Sequence, residues 1–237
     1  MGMPFPHCDF ERMNAFVAKE AFKDPLSVSS MVVHPQMQPK KVVMAVEKYG
    51  FAGFKPYRFY SSTGDVVECS ITDFLPEPLL EVANDKHLLI TLHLGKRAGI
   101  ADSDNIEDLI SLTKRYPNVY WILAHCARSF NSYFLEKTIK QLRSLPKIWY
   151  DISAVCESGV FEILLRSGPL KRILYGSDST AGLARGKYIA FGYGWSFLKE
   201  DNHSFDLSHC DPRMTIVLYE ELRALRRAVH DVGLSNA

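Results

Sequence analysis

Several features that would announce a function class are missing from this 237-residue chain. No apolar run approaches the roughly 20 residues needed to span a bilayer. The opening MGMPFPHCDFERM has neither the basic nor the apolar segment of a secretion signal, so a cytoplasmic protein with no membrane partner is expected. Charge of one sign is absent too: 28 Lys plus Arg against 27 Asp plus Glu leave a formal +1, which offers nucleic acid no electrostatic footprint. The five cysteines are scattered without a CxxC pair, which excludes a disulfide framework and a zinc knuckle; they read as free thiols, with Cys126 as buried filler. Neither GxGxxG nor GxxxxGK[ST] follows any apparent strand, and FGYGW at 191–195 is too weak a motif to replace them.

What the chain does have is 47% hydrophobic residues, enough for one sizeable core and a single domain over residues 1–237. Short β-branched or apolar runs alternate with amphipathic stretches. SVSSMVVHP leads to PKKVVMAVEKYG, whose Gly50 suits a helix C-terminus, and FAGFKPY leads to PEPLLEVANDK. HLLITLHLG leads to SDNIEDLISLTKRYP, with Asp104 as the expected N-cap and Pro117 as the stop. VYWILAHC, IWYDISA and RILYGSD are followed by NSYFLEKTIKQLRSLP, SGVFEILLRSG and, after a long loop, a helix expected to start at Asp211 and Pro212 and to stop at Gly233. Six strand and helix units with largely continuous apolar strands imply an α/β protein with a parallel sheet covered by helices, as a barrel or an open doubly wound sheet.

Four of these strands end on chemistry-bearing residues: Lys55, His93, His125 and Asp178. In a parallel barrel the C-terminal strand ends converge on one mouth. Two imidazoles and a carboxylate there would suit a divalent metal, most naturally zinc, and Asp178 could take a proton from metal-bound water. The plainer reading is that polar residues simply resume where strands end. Arg58 and Arg128, together with Lys55, are candidates for holding a substrate carboxylate, whereas Lys96 and Arg97 read as a solvated rim. Asp151 is a candidate partner for a mouth residue or a helix cap, and His34 is equally a mouth residue or a turn entry. His7 lies in a proline-flanked irregular segment, and His87, His203, His209 and His230 read as solvated.

HLGK at 93–96, ILAHCAR at 122–128, WYDISA at 149–154 and YGSD at 175–178, in this order, resemble the amidohydrolase superfamily, in the branch of the aminocarboxymuconate-semialdehyde-decarboxylase-like proteins. The resemblance runs from about residue 27 to the end. It implies a TIM (β/α)8 barrel with a divalent metal, zinc (Zn2+), at its mouth: His93 and Asp178 as metal ligands, Asp178 also as a base, and His125 as an acid/base or oxyanion-polarising group. Lys55 falls where two-metal members carry a carbamylated lysine; in a one-metal member it is a substrate or structural residue. The chain departs from the pattern in having no HxH pair, so that, counted back from YGSD as strand 8, strands 1 and 2 are missing. A barrel truncated at the N-terminus, and at the C-terminus after GLSNA, is therefore expected, with two parallel sheet edges exposed.

The leading expectation is a metal-dependent hydrolase acting on a small-molecule substrate that bears a carboxylate, amide or lactone. Non-oxidative decarboxylation on the same site is the enzymatic alternative, and a catalytically silent remnant is the other. A homo-oligomer stays open. The segment at 180–205 is expected to fold over the mouth as a lid.

Overall fold

The computed structural model describes residues 1, 2, 5, 7–168 and 170–234. Each of the six expected strands forms: β1 (Ser30–Val33), β2 (Gly53–Pro56), β3 (Leu89–Leu92), β4 (Tyr120–Leu123), β5 (Ile148–Asp151) and β6 (Ile173–Leu174). β1, β2, β3 and β4 pair in that order and in parallel, and β5 pairs in parallel with β6. The long helices are α1 (Phe10–Ala21), α2 (Pro39–Tyr49), α3 (Glu77–Asp85), α4 (Ser103–Arg115), α5 (Ser132–Leu142), α6 (Ser158–Ser167) and α7 (Val217–Asp231). No helix among the described residues is long and apolar enough to cross a membrane.

The chain divides into two compact units. The first comprises residues 1–97, 102–123 and 145–148 and holds α1–α4 and β1–β4. Its core is built on Val32, Phe54, Ile90 and Trp121, one from each strand and each fully buried. β2 is buried at every position, whereas β3 and β4 alternate buried with half-buried residues. Helix α2 begins at Pro39, whose missing N–H costs nothing in a first turn, and closes on Gly50 at φ 64.

The outer edge of β1 departs from expectation, because it is not bare. Asn14 of α1 donates through Nδ2 to the Val32 carbonyl at 3.0 Å and accepts through Oδ1 from the Val32 N–H at 2.9 Å. One side-chain amide thus makes the donor and acceptor pair that a neighbouring strand would make. At 3% exposure Asn14 satisfies backbone groups that would otherwise be buried and unpaired.

Two helix starts also differ. Asp102, not Asp104, caps α4: its carboxylate accepts from the Asp104 N–H, and its carbonyl accepts from Ile106 N to close the first turn. Asp211 and Pro212 do not open α7, because the Asp211 carboxylate is engaged locally by the backbone N–H and the guanidinium of Arg213. The helix waits for Ile216, which a bridge to Arg185 keeps extended, and begins at Val217.

The second unit comprises residues 98–101, 124–144 and 149–237, of which 169 and 235–237 lie outside the described residues. It holds α5–α7, the pairing of β5 with β6, and an element read from sequence as a loop. Residues 187–198 form an antiparallel hairpin, β7 (Lys187–Phe191) and β8 (Gly194–Leu198), with FGYGW as its turn and Gly192 at φ 51. Asn131 Nδ2 donates to the carbonyls of Gly192 and Gly194 and so ties the turn to the N-terminus of α5.

Candidate active site around His125

Strand β4 stops at Leu123, and the chain then does something rare. His125, Cys126, Ala127 and Arg128 all have positive φ, at 55, 51, 62 and 59°. A non-glycine residue in the left-handed region costs about 1–2 kcal/mol, so four in succession need anchoring from outside the turn. The anchors are visible. Asp151 Oδ2 accepts from the His125 N–H at 3.3 Å, and the His125 carbonyl accepts from Ser129 N at 2.9 Å. Phe130 stacks on the imidazole at 5.5 Å and is covered in turn by Tyr188 and Trp195 of the hairpin, at 4.3 and 4.5 Å. Arg128 is buried with its guanidinium 5.7 Å over the Trp195 ring, so it is held by an aromatic face within its own unit.

The imidazole of His125, only 8% exposed, has its Nδ1 2.9 Å from the Ser153 carbonyl and 3.1 Å from Ser153 Oγ. The same hydroxyl donates to Asp151 Oδ2 at 2.5 Å. Asp151 Oδ1 accepts from Ser153 N at 3.3 Å, so one carboxylate orders the backbone on both sides of the histidine. Gly176 closes this corner: a Cβ there would lie 2.0 Å from Asp151 Oδ1. Asp151 is the last residue of β5, and Ser153 lies two residues beyond it, in the turn that follows. Ser153 went unnoticed in the sequence, because a lone serine after a strand carries no signal of its own.

Glu221 is the other residue that sequence reasoning missed. It lies on the buried stripe of α7 with Val217, Ala224 and Ala228, and its carboxylate is fully buried. Oε2 accepts from the N–H of Ala154, itself at φ 60, at 2.9 Å; Oε1 has no hydrogen-bond partner among the described residues. Burial, opposed by that hydrogen bond and aided by the charges of Asp151 and Asp178, pushes the carboxyl up to about 7. A glutamate on the apolar stripe of an amphipathic helix was the available clue. Cys126 is fully buried, and burial raises its thiol well above the ordinary value, in keeping with filler rather than a nucleophile.

The remaining residues expected at the site are placed as follows. In the first unit, Lys55 is the second-to-last residue of β2, at the strand end as expected, buried, with Nζ 5.3 Å over the Tyr57 ring. Arg58 sits in a short 3-10 turn and donates to the Val66 carbonyl; burial lowers its guanidinium from the ordinary value. His93 directly follows β3, half-buried, with Nδ1 3.1 Å from the Leu94 carbonyl. Lys96 is not a solvated rim residue: it is buried and paired with Asp104 at 2.9 Å, whereas Arg97 is exposed as expected. In the second unit, Asp178 is exposed at φ 42, four residues past β6, and its carbonyl accepts from Gly182 N at 2.8 Å.

An imidazole whose Nδ1 faces a carbonyl, as in His93 and His125, has the kind of Nδ1 partner that metal-ligating histidines use. Taken singly, these donors suit a divalent ion. Taken together they do not make a complete centre: among the described residues no three His, Cys, Asp or Glu side chains are grouped so as to hold a metal, and a catalytic zinc ordinarily keeps three protein ligands.

The sequence model of the Amidohydrolase family matches residues 7–207. No curated protein matches the sequence. Among solved structures, the chain is similar to 4-oxalomesaconate hydratase LigJ from Rhodopseudomonas palustris, with a TM-score of 0.54 and 13% identity over 94% of this chain and 70% of that one. It is also similar to 2,6-dihydroxybenzoate decarboxylase from Rhizobium, at TM-score 0.51 and 14% identity over 70% of this chain and 65% of that one. A third is the dihydroxybenzoic acid decarboxylase from Polaromonas sp. JS666 with bound manganese and 2-nitroresorcinol, at TM-score 0.50 and 15% identity, covering 70% of this chain and 63% of that one. At these identities the likeness is one of fold, and the chain spans about two thirds of the decarboxylases' length. With a family match across most of its residues and a parallel α/β fold shared with these enzymes, the chain belongs to the Amidohydrolase family.

Proposed function

We propose that this chain is a metal-dependent hydrolase built on the (β/α)8 barrel plan, in which His125 is the acid/base group acting on a small substrate that bears a carboxylate, amide or lactone. The observation that carries this reading is the buried imidazole of His125, held by Ser153 and Asp151 at the start of a strained turn. Side chains fixed in this way suit proton transfer, because the reactive nitrogen is oriented before substrate arrives. His93 and Asp178 are the residues that would hold a divalent ion, zinc by preference. When bound, such an ion lowers the pKa of its water and polarises a carbonyl. Lys55, Arg58 and Arg128 are the proposed partners of the substrate's anionic end. The proposed compartment is the cytoplasm.

A second reading, non-oxidative decarboxylation, is favoured by the decarboxylases among the structures of similar fold. One assay separates the two. Purified protein supplemented with zinc or manganese is offered a panel of amides, lactones and hydroxybenzoates, and product acid and carbon dioxide are both measured. Hydrolysis without gas release is expected, with His125→Gln lowering kcat by about 10²–10⁴-fold. Carbon dioxide release would select the second reading, and full activity in His125→Gln would remove the histidine from both.

A further inference from the structure

Ser153 has one hydroxyl hydrogen, and it is given to Asp151 Oδ2 at 2.5 Å. Toward His125 Nδ1, 3.1 Å away, the same oxygen can only accept. The Ser153 carbonyl, 2.9 Å from Nδ1, can also only accept. Two acceptors of different kinds therefore converge on one ring nitrogen, and both require it to carry the hydrogen. The arrangement continues beyond the serine, since Asp151 Oδ2 also receives the His125 backbone N–H and Oδ1 receives the Ser153 N–H. The carboxylate has room for this because Gly176 has no Cβ.

We infer that Asp151 and Ser153 are positioning residues, which hold the Nδ1 hydrogen of His125 through a serine-bridged chain and so turn the imidazole lone pair to Nε2. The inference rests on the reading of His125 as the acid/base group. In this arrangement the aspartate acts on the imidazole at one remove: any positive charge that develops on the ring is answered through Ser153 Oγ. Neither residue touches substrate. Their contribution is to select the tautomer and the ring orientation, and to pin the left-handed turn on which the ring is mounted.

The test is a ring-nitrogen NMR spectrum of the full-length 15N-labelled protein without substrate. The His125 signals, one set among those of eight histidines, are assigned by their loss in His125→Gln. The wild type is expected to show Nδ1 protonated and Nε2 bare. Ser153→Ala and Asp151→Asn are each expected to move the His125 pair of signals while the other seven histidines stay in place. Ser153→Thr, which keeps the hydroxyl, is expected to preserve the wild-type pattern. A wild-type His125 protonated on Nε2 overturns the inference, as does an unchanged His125 pattern in both Ser153→Ala and Asp151→Asn. An equal loss of the pattern in folded Thr and Ala variants assigns the effect to packing and overturns it as well. Should Ser153→Ala fail to fold, Asp151→Asn carries the same comparison. Because no substrate is present, a negative result in the substrate panel leaves this readout intact, and a wrong tautomer leaves the panel's outcome intact.

Discussion

Glu221 of α7 accepts the backbone N–H of Ala154 at 2.9 Å, and through that bond the last helix holds the turn that follows Asp151 and Ser153. The contact joins residues far apart in the chain and ties a fully buried carboxyl to a residue at φ 60.

The carboxyl of Glu221 is raised from the ordinary 4.5 to about 7, so the folded protein binds a proton there that the unfolded chain has lost. Stability from this group is fully present below 4.5 and is lost as pH rises through about 7. The size is on the order of 3 kcal/mol across that window. Glu221→Gln keeps an acceptor for Ala154 and cannot ionise. Urea unfolding at several values between about pH 5 and pH 8 should give a flatter stability profile for the variant than for the wild type.

Asn14 supplies both hydrogen bonds to Val32, and Asn14→Ala removes them together. A buried N–H and a buried C=O left unpaired cost about 1–3 kcal/mol each, so a loss of about 2–4 kcal/mol is expected after partial relaxation. The urea midpoint should fall with little change in slope. A midpoint equal to that of the wild type would mean that the β1 edge is satisfied in another way.

Gly176 does not need glycine for its backbone angles; it needs the space. A methyl group there meets Asp151 Oδ1 at 2.0 Å, so Gly176→Ala must move the carboxylate or the strand end. The expected cost is about 1–3 kcal/mol, with activity falling by more than the stability change predicts because His125 loses its anchor. Thermal unfolding and kcat, measured on the same preparation, check both parts.

Four of the five thiols should separate by burial. Cys210 is exposed and is expected to react at once with a thiol reagent, whereas Cys69, Cys126 and Cys156 are buried and should react only as the protein opens. Mass spectrometry of timed samples with and without urea reads the order. Early labelling of Cys126 would show that its turn opens without global unfolding.

Much of this molecule is legible in its sequence, because periodicity and strand ends report local physics. Short β-branched runs became β1–β6, and amphipathic stretches became the helices between them. Gly50 and Gly233 mark helix ends because both adopt positive φ there. The histidine after VYWIL could be singled out for the same reason: a polar residue ended a largely apolar run. The start of α7 could not be read, since a strand bridge at Ile216 overrode the local signal of Asp211 and Pro212.

What only the tertiary structure decided lies in contacts between distant residues. Local pattern gives no reason for four left-handed residues after β4; these need Asp151 and the aromatic cover of the hairpin. Asn14 reads as an ordinary helix residue until β1 arrives beside it, and Ser153 and Glu221 read as unremarkable polar residues until folding buries them. Sequence determines which residues favour a strand, a helix or a turn, because those preferences act within a few residues. The partner of a buried polar group is set by the packing of the whole chain, since the cost of leaving it unpaired appears only once water has been excluded.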